Sequence, residues 1–472
     1  MTSTLLTPES VQFLQKARSR RARLRDRWAY YHQDNAEFFQ SLIQADSRVL
    51  VIGCDVGHQA VKLKAAEVHW FDLDQEAASQ PLPAGLERVT DLPSALASIP
   101  FDYVILPYTL QYLENIQGFL ETLVSGLRPQ ARIIALQYNF LWAPALKTAE
   151  RLGLKSPAPD LNWLSPQDIR NLFDLTRFQQ ITSGGRCLIP FRIPCVTRWI
   201  NRYLAPLPFL RWACQKTFSV ARKLPPPVRR SDLSVSIVVP ARNESGNIRA
   251  LLDRLPRLGS RCELIFVEGH SRDDTWAEIG RQLGAHPRRA EFEIRRFQQA
   301  GEGKADAVRL GFSNATGDIL MILDADLSVR PEDLTLFYNA LLSGTADFVN
   351  GSRLVYKMES EAMQVMNLFF NKQFGILVSW LIGQPLKDTL CGTKALFRKD
   401  YERIGAAYPH LAKRDPFGDF ELLFGAGRLC LKICDVPVWY KQRTYGRTNI
   451  RRFRHGWQLL RMCIASWPEF KS

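Results

Sequence analysis

Short apolar runs alternate with longer stretches of helical periodicity along the whole chain. In the first half the runs are RVLVIG (Arg48–Gly53), EVHWFDL (67–73), FDYVILP (101–107) and ARIIALQY (131–138). In the second half they are VSIVVP (235–240), CELIFVE (Cys262–Glu268), FEIRRF (292–297), DILMILD (318–324) and ADFVNGS (346–352). Apolar runs of this length with helical patterns between them predict βαβ units and open parallel sheets. The rhythm occurs twice, with different motifs each time. The stretch ARKLPPPVRRSDLS (221–234) separates the two, and its three prolines favour an extended, semi-rigid segment. The expected division is a basic helical extension (1–34), a first α/β domain (35–220), a proline-rich basic linker (221–233) and a second α/β domain (234–472).

A length of 472 residues and 46% hydrophobic content suit two or three domains with real cores. The net charge of +15 changes the picture, because it points to an anionic partner: nucleic acid, a lipid surface or a phosphorylated substrate. A solvated basic surface is the bland alternative. No nucleic-acid recognition motif accompanies the charge, so nucleic acid is not expected. The nine cysteines are scattered, which predicts reduced, buried thiols rather than a zinc site or a disulfide framework. MTSTLLTPES lacks a signal pattern, and the most apolar stretch, FGILVSWLIG (374–383), is too short to span a bilayer. The apolar residues of the stretch 361–397 nearly wrap a helix, which suits burial or a lipid interface. Near the C-terminus Arg451, Arg452, Arg454 and Arg461 interleave with Trp457, Leu459, Leu460 and Trp467. Such a helix suits anionic headgroups, or folds back onto its domain. The expected location is the cytoplasm, peripheral to an anionic membrane surface.

In the first domain Gly53 and Gly57 follow the first strand, where glycines allow a tight turn and close backbone approach to a ligand. Asp72 ends the next run about 20 residues later, where an acid bonds ribose hydroxyls. Residues 35–190, including FDYVILPYTLQYLENIQGFL (101–120), resemble a class I S-adenosylmethionine-dependent methyltransferase. The resemblance implies a Rossmann-like parallel sheet, with Gly53, Gly57 and Asp72 lining S-adenosylmethionine and Asp91 near its adenine. The chain departs from the family at Val51, where an acid is expected, and at Asp55, where a glycine is expected. Methyl transfer, cofactor binding alone and a retained scaffold therefore all stay open.

In the second domain the run Ile319–Leu323 closes on Asp324 and Asp326. Two carboxylates brought together out of bulk water are costly unless something compensates them. Residues two apart on a strand point the same way, so the pair is expected to converge on one cation. Oxygen ligands shared with a diphosphate favour Mg2+ or Mn2+. Capping of the helix that begins near Pro331 is the alternative. VSIVVPARNESGN, LIFVEGHSRDDTW and GEGKADAV complete an ordered set of motifs. Together, over residues 234–455, they resemble the family 2 glycosyltransferases of the GT-A type, in particular dolichol-phosphate mannose synthase and other polyprenyl-phosphate glycosyltransferases.

That resemblance implies inverting transfer of a sugar from a nucleotide-diphospho-sugar to a polyprenyl phosphate. It places Pro240, Asn243, Glu244, Glu268 and Asp273 around base and ribose, and Lys304 near the nucleotide. Arg353 is expected to grip phosphate, and Arg443 and Arg447 to close over diphosphate and acceptor. Asp419 would act as general base for a hydroxyl acceptor, whereas a phosphate acceptor needs none. A glycan hydroxyl acceptor is the alternative reading.

Overall fold

The computed structural model describes residues 5–54, 62–74, 85–155, 158–159, 161–194, 196–229, 232–356, 365–415, 418–441, 445 and 452–470. The chain forms two compact units, Met1–Pro225 with Trp467–Ser472, and Pro226–Ser466. Each is built on a seven-stranded sheet.

The first sheet contains β1 (Arg48–Gly53), β2 (Glu67–Asp72), β3 (Glu87–Arg88), β4 (Tyr103–Pro107), β5 (Arg132–Tyr138), β6 (Phe178–Arg186) and β7 (Lys216–Lys223), in the order β3-β2-β1-β4-β5-β7-β6. Strands β1 to β5 are parallel and β1, β4 and β5 are almost wholly buried, as continuous apolar runs require. The expected all-parallel sheet is corrected by β7, which lies antiparallel between β5 and β6. Two other boundaries move. The helix Ala29–Leu42 crosses the expected start of the domain at residue 35, with Tyr31 and Asn35 both buried. Strand β7 runs to Lys223, so the first three residues of the expected linker belong to the sheet.

The second sheet contains β8 (Val235–Ala241), β9 (Cys262–Glu268), β10 (Glu293–Gln298), β11 (Ile319–Ile322), β12 (Phe348–Ser352), β13 (Lys394–Phe397) and β14 (Ile433–Pro437). Its order is β10-β9-β8-β11-β13-β12-β14, with β13 antiparallel to both neighbours, so it too is mixed. Val235, Ile237, Val239, Met321 and Phe337 share one continuous core on one side of this sheet. In both sheets the strand order reverses beside the first strand, between β1 and β4 and between β8 and β11. In open α/β sheets that switch point opens a crevice at the carboxyl ends of the strands, where ligands bind.

Among the described residues no helix is long and apolar enough to cross a membrane. The eight described cysteines are free thiols, seven of them buried.

Candidate active site

The β8/β11 crevice collects the acidic residues of the second unit. Strand β11 ends at Ile322, and Asp324 and Asp326 lie in the turn that follows, where Leu327 adopts φ 57°. The strand alternation expected to point them the same way does not apply to a turn. Asp324 is partly exposed, and its Oδ1 lies 2.6 Å from Nζ of Lys304. Asp326 is buried, and its Oδ1 accepts hydrogen bonds from the Ser328 amide at 2.9 Å and the Ser328 hydroxyl at 2.6 Å.

Lys304 opens the helix Lys304–Asn314. Burial works against its charge, but the Asp324 and Asp419 carboxylates raise the ammonium well above its ordinary value. The backbone at Gly392 closes one side of this pair. A Cβ there would sit 2.0 Å from Lys304 Nζ and 2.2 Å from Asp324 Oδ2, so any side chain at this position would have to displace the pair. Asp419 opens a second helix, Asp419–Arg428, immediately after Gly418 at φ 77°. A Cβ on Gly418 would lie 3.1 Å from Cα of Ala305, so the two helix starts abut. Arg309 Nε, 3.0 Å from Glu421 Oε2, ties the two helices together. The Asp419 carboxyl is pushed up by burial and by Asp324 and Asp415, against the pull of Lys304 and Lys394. Its Oδ1 is buried without a hydrogen-bond partner.

The residues expected around base and ribose are gathered by the loops after β8 and β9. Pro240 pairs with Val267 across these strands. Asn243 adopts φ 57°, accepts the Arg272 amide on Oδ1 at 2.7 Å, and donates its own amide to Ser271 Oγ at 3.0 Å. The Glu244 amide donates to Thr275 Oγ1 at 2.9 Å. Glu268 accepts from the Ser271 amide and from Gln298 Nε2, the latter at 3.2 Å. Asp273 is pushed up by burial, but hydrogen bonds from Thr275 and Ser245 hold it below the ordinary carboxylate range. Tyr445 reaches the same loops, with its hydroxyl 3.2 Å from Asp273 Oδ2 and 3.0 Å from Ser245 Oγ. Arg443 and Arg447 lie outside the described residues.

Arg353 has a different partner from the expected phosphate. Its Nε and Nη2 donate to Asp388 at 2.6 and 2.9 Å, and its amide donates to the same carboxylate at 3.0 Å. Asn371 Nδ2 adds a fourth bond at 2.9 Å. The guanidinium also lies 5.1 Å from the Tyr440 ring centre. Burial would raise the Asp388 pKa, but Arg353 brings it down to about 2. Nε and Nη2 of the fork are thus engaged inside the protein, holding β12 to the segment before β13. Sequence reasoning missed Asp388. The available signal was the polar stretch KDTLCGTK between two apolar runs, in which Asp388, Thr389, Thr393 and Lys394 are all fully buried.

Among the described residues no three His, Cys, Asp or Glu side chains are gathered to hold a metal by themselves. Asp324 and Asp326 supply only carboxylate oxygens, which fits a hard divalent cation that takes its remaining ligands from a diphosphate.

In the first unit, β1 and β2 pair Gly53 with Asp72, so the two expected cofactor residues end adjacent strands side by side. Asp72 is buried and accepts the Asp74 amide at 2.9 Å. Asp91 is exposed and caps the helix Leu92–Ser98 by accepting the Ser94 amide at 3.3 Å. Gly57 lies outside the described residues. At the ends of β1, β4 and β5 is a cavity of 1360 Å³ whose lining includes Trp28, Cys54, Tyr108, Tyr138, Trp142 and Trp199. Tyr108, at φ 62°, stacks on Tyr138 with ring centres 4.5 Å apart and lies 2.9 Å from the Tyr31 hydroxyl.

Residues 236–405 match the family model described as glycosyl transferase family 2. The second unit carries a family 2 glycosyltransferase domain. The chain is 27% identical over 228 residues to a dolichol-phosphate mannosyltransferase of Pyrococcus furiosus, covering 46% of this chain and 60% of that one. It is 31% identical over 228 residues to an undecaprenyl-phosphate 4-deoxy-4-formamido-L-arabinose transferase of Klebsiella pneumoniae, covering 47% and 62%. The chain thus spans less than two thirds of the length of these curated relatives. Among solved structures, glucosyl-3-phosphoglycerate synthase of Mycobacterium tuberculosis aligns over 51% of this chain and 82% of its own, with 18% identity and a TM-score of 0.37. In the glycosyltransferase domain the matched segment contains the Lys304–Asp324 pair, Asp326 and the loops after β8 and β9, and ends before Asp419.

Proposed function

We propose that the glycosyltransferase domain moves a sugar, with inversion, from a nucleotide-diphospho-sugar to a polyprenyl phosphate. The observation that carries this reading is the Lys304–Asp324 pair at the β8/β11 crevice, with Asp326 beside it and Asp419 at the abutting helix start. The names of the relatives, which act on dolichol and undecaprenyl phosphates, favour the lipid-linked acceptor.

The loops after β8 and β9 would hold base and ribose, with Asp273 and Glu244 as hydrogen-bond acceptors. Lys304 would balance diphosphate charge. Asp324 and Asp326 would hold Mg2+ or Mn2+, which when bound supplies a Lewis acid for the leaving diphosphate. A phosphate acceptor is ionised near neutrality, so the chain has only to place it in line behind the sugar carbon. Incubating the purified protein with a panel of nucleotide sugars and short polyprenyl phosphates tests the reading. Absence of any lipid-linked product across the panel would refute it.

One observation favours a second reading, a glycan hydroxyl acceptor. Asp419 has a raised pKa and an unpartnered buried oxygen, the condition of a carboxylate poised to take a proton. In either case we place the protein at the cytoplasmic membrane face, with the helix Arg452–Phe470 as one contact with anionic lipid. For the first unit, the adjacency of Gly53 and Asp72 and the cavity at the β1/β4 switch point favour binding of S-adenosylmethionine. The methyl acceptor, if transfer occurs, would enter the same cavity.

A further inference from the structure

Between Asp174 and Asp232 the chain carries no acidic residue and eleven basic ones, so this span holds +11 of the net +15. Half of it is the connection between β6 and β7 in the first unit. That connection is folded from within. Asn201 is buried and accepts the amides of Leu188 and Ile189 at 2.9 and 3.0 Å, while its own NH2 donates to Ile189 O at 2.8 Å. Thr197 is buried and bridges the Ile193 amide and the Phe191 carbonyl. Asn139 and Trp142 donate to the carbonyls of Trp212 and Ala213 at 2.8 and 3.0 Å. Polar side chains thus satisfy the backbone, and the apolar ones are turned out. Phe191, Trp199, Phe209 and Trp212 are 51%, 55%, 65% and 64% exposed, and the exposed Arg192, Arg198 and Arg211 lie directly beside Phe191, Trp199 and Trp212 in sequence.

Large aromatics held in water by an ordered scaffold are costly unless something covers them. Arginine next to tryptophan and phenylalanine, without a single carboxylate, matches the boundary between headgroups and acyl chains. We infer that the β6–β7 connection docks the first unit onto an anionic bilayer. This contact adjoins the end of the helix Arg452–Phe470, where Tyr203 lies 6.3 Å from the Trp467 ring and Arg202 donates to the Pro468 carbonyl at 3.5 Å, but it uses different side chains and does not depend on which sugar or acceptor the other unit uses. Phe191, Arg192, Arg198 and Trp199 also line the 1360 Å³ cavity, so docking brings the cavity's own wall to the headgroup region.

The test uses the intact chain and vesicles of phosphatidylcholine with or without phosphatidylglycerol. The aromatic pair Phe209→Ser with Trp212→Ser lies outside the cavity lining and should weaken binding to anionic vesicles by about tenfold or more. The triple change Arg192→Gln, Arg198→Gln, Arg211→Gln should remove the preference for anionic over neutral vesicles and flatten the salt dependence. Hydrogen exchange at residues 189–212 should slow on vesicle binding. Folding of each variant is checked by circular dichroism. Unchanged vesicle binding by the aromatic variant, with loss in Trp457→Ser instead, would overturn the inference and leave the terminal-helix contact standing. A wild-type dimer that becomes monomeric in the aromatic variant without vesicle binding would also overturn it, assigning the patch to a second copy. Retention by RNA with no vesicle binding would assign it to nucleic acid.

Discussion

Replacing Arg353 by methionine is expected to destabilise the glycosyltransferase domain, with loss of donor affinity no greater than the unfolding explains. Asp388 titrates at about 2 instead of 3.8, a shift worth about 2 kcal/mol of stability. Because its folded pKa is depressed, that contribution is present above 3.8 and is lost as pH falls toward 2. Removing the guanidinium does more than cancel it. The carboxylate stays fully buried, and breaking a buried pair typically costs about 3–5 kcal/mol. In the variant the Asp388 pKa should rise above its unfolded value, so protonation then favours the folded state. The stability gap between wild type and variant should therefore be largest near neutrality and close from both sides as pH falls through the carboxylate range. Urea denaturation across that range measures it, with hydrogen exchange in β12 as the local readout. The double change Arg353→Met, Asp388→Leu should recover much of the loss, because it removes the stranded charge. A variant as stable as wild type near neutrality, but with weakened nucleotide-sugar binding, would refute this reasoning and return Arg353 to the phosphate.

With a phosphate acceptor, Asp326→Asn should nearly abolish transfer while Asp419→Asn costs little. If the folded Asp419→Asn protein is as inactive as Asp326→Asn, a loss of roughly a hundred- to ten-thousandfold, the acceptor is a hydroxyl. In that case the wild-type rate should climb with pH through a value above 3.8, because Asp419 must lose a proton that burial makes it hold. Lys304→Met should raise KM for the nucleotide sugar about ten- to hundredfold, the worth of one charge-assisted contact, in steady-state assays with saturating acceptor. Calorimetry of the intact chain with S-adenosylmethionine should show heat that Asp72→Ala removes; no heat at millimolar ligand would leave the first unit a scaffold.

The central strands were legible because they are buried on both faces, and continuous apolar runs such as Val235–Val239 have few other uses. Strands β6, β7 and β13 were not. In β7 Lys216 and Arg222 are fully buried, Lys216 against Asp34 at 3.0 Å and Arg222 against Gln179 at 2.7 Å. In β13 Lys394 is buried against Asn350 Oδ1 at 2.8 Å. A charge inside a core reads as a loop residue until its partner is known, and these partners lie about 40 to 180 residues away in sequence. The same limit applies to Arg353, whose partner Asp388 is 35 residues on. Asp324 and Asp326 announced a site by their chemistry, which is local. Their geometry was not legible, because the left-handed backbone at Leu327 that turns the chain has no glycine or asparagine to mark it.

The Lys304–Asp324 contact has a kinetic consequence. An unbalanced carboxylate at the mouth of a crevice would repel an approaching diphosphate and slow its entry. Held against the Gly392 backbone, Lys304 presents a dipole at Asp324 instead of a bare negative charge, so a donor of the proposed class would meet one carboxylate fewer to repel it. On that reading Lys304 would exchange the Asp324 oxyanion for one on the diphosphate when the donor enters. If the proposed transfer holds, the pair would act as a placeholder, and the rate at which the donor displaces it would set how quickly the site refills after each turnover.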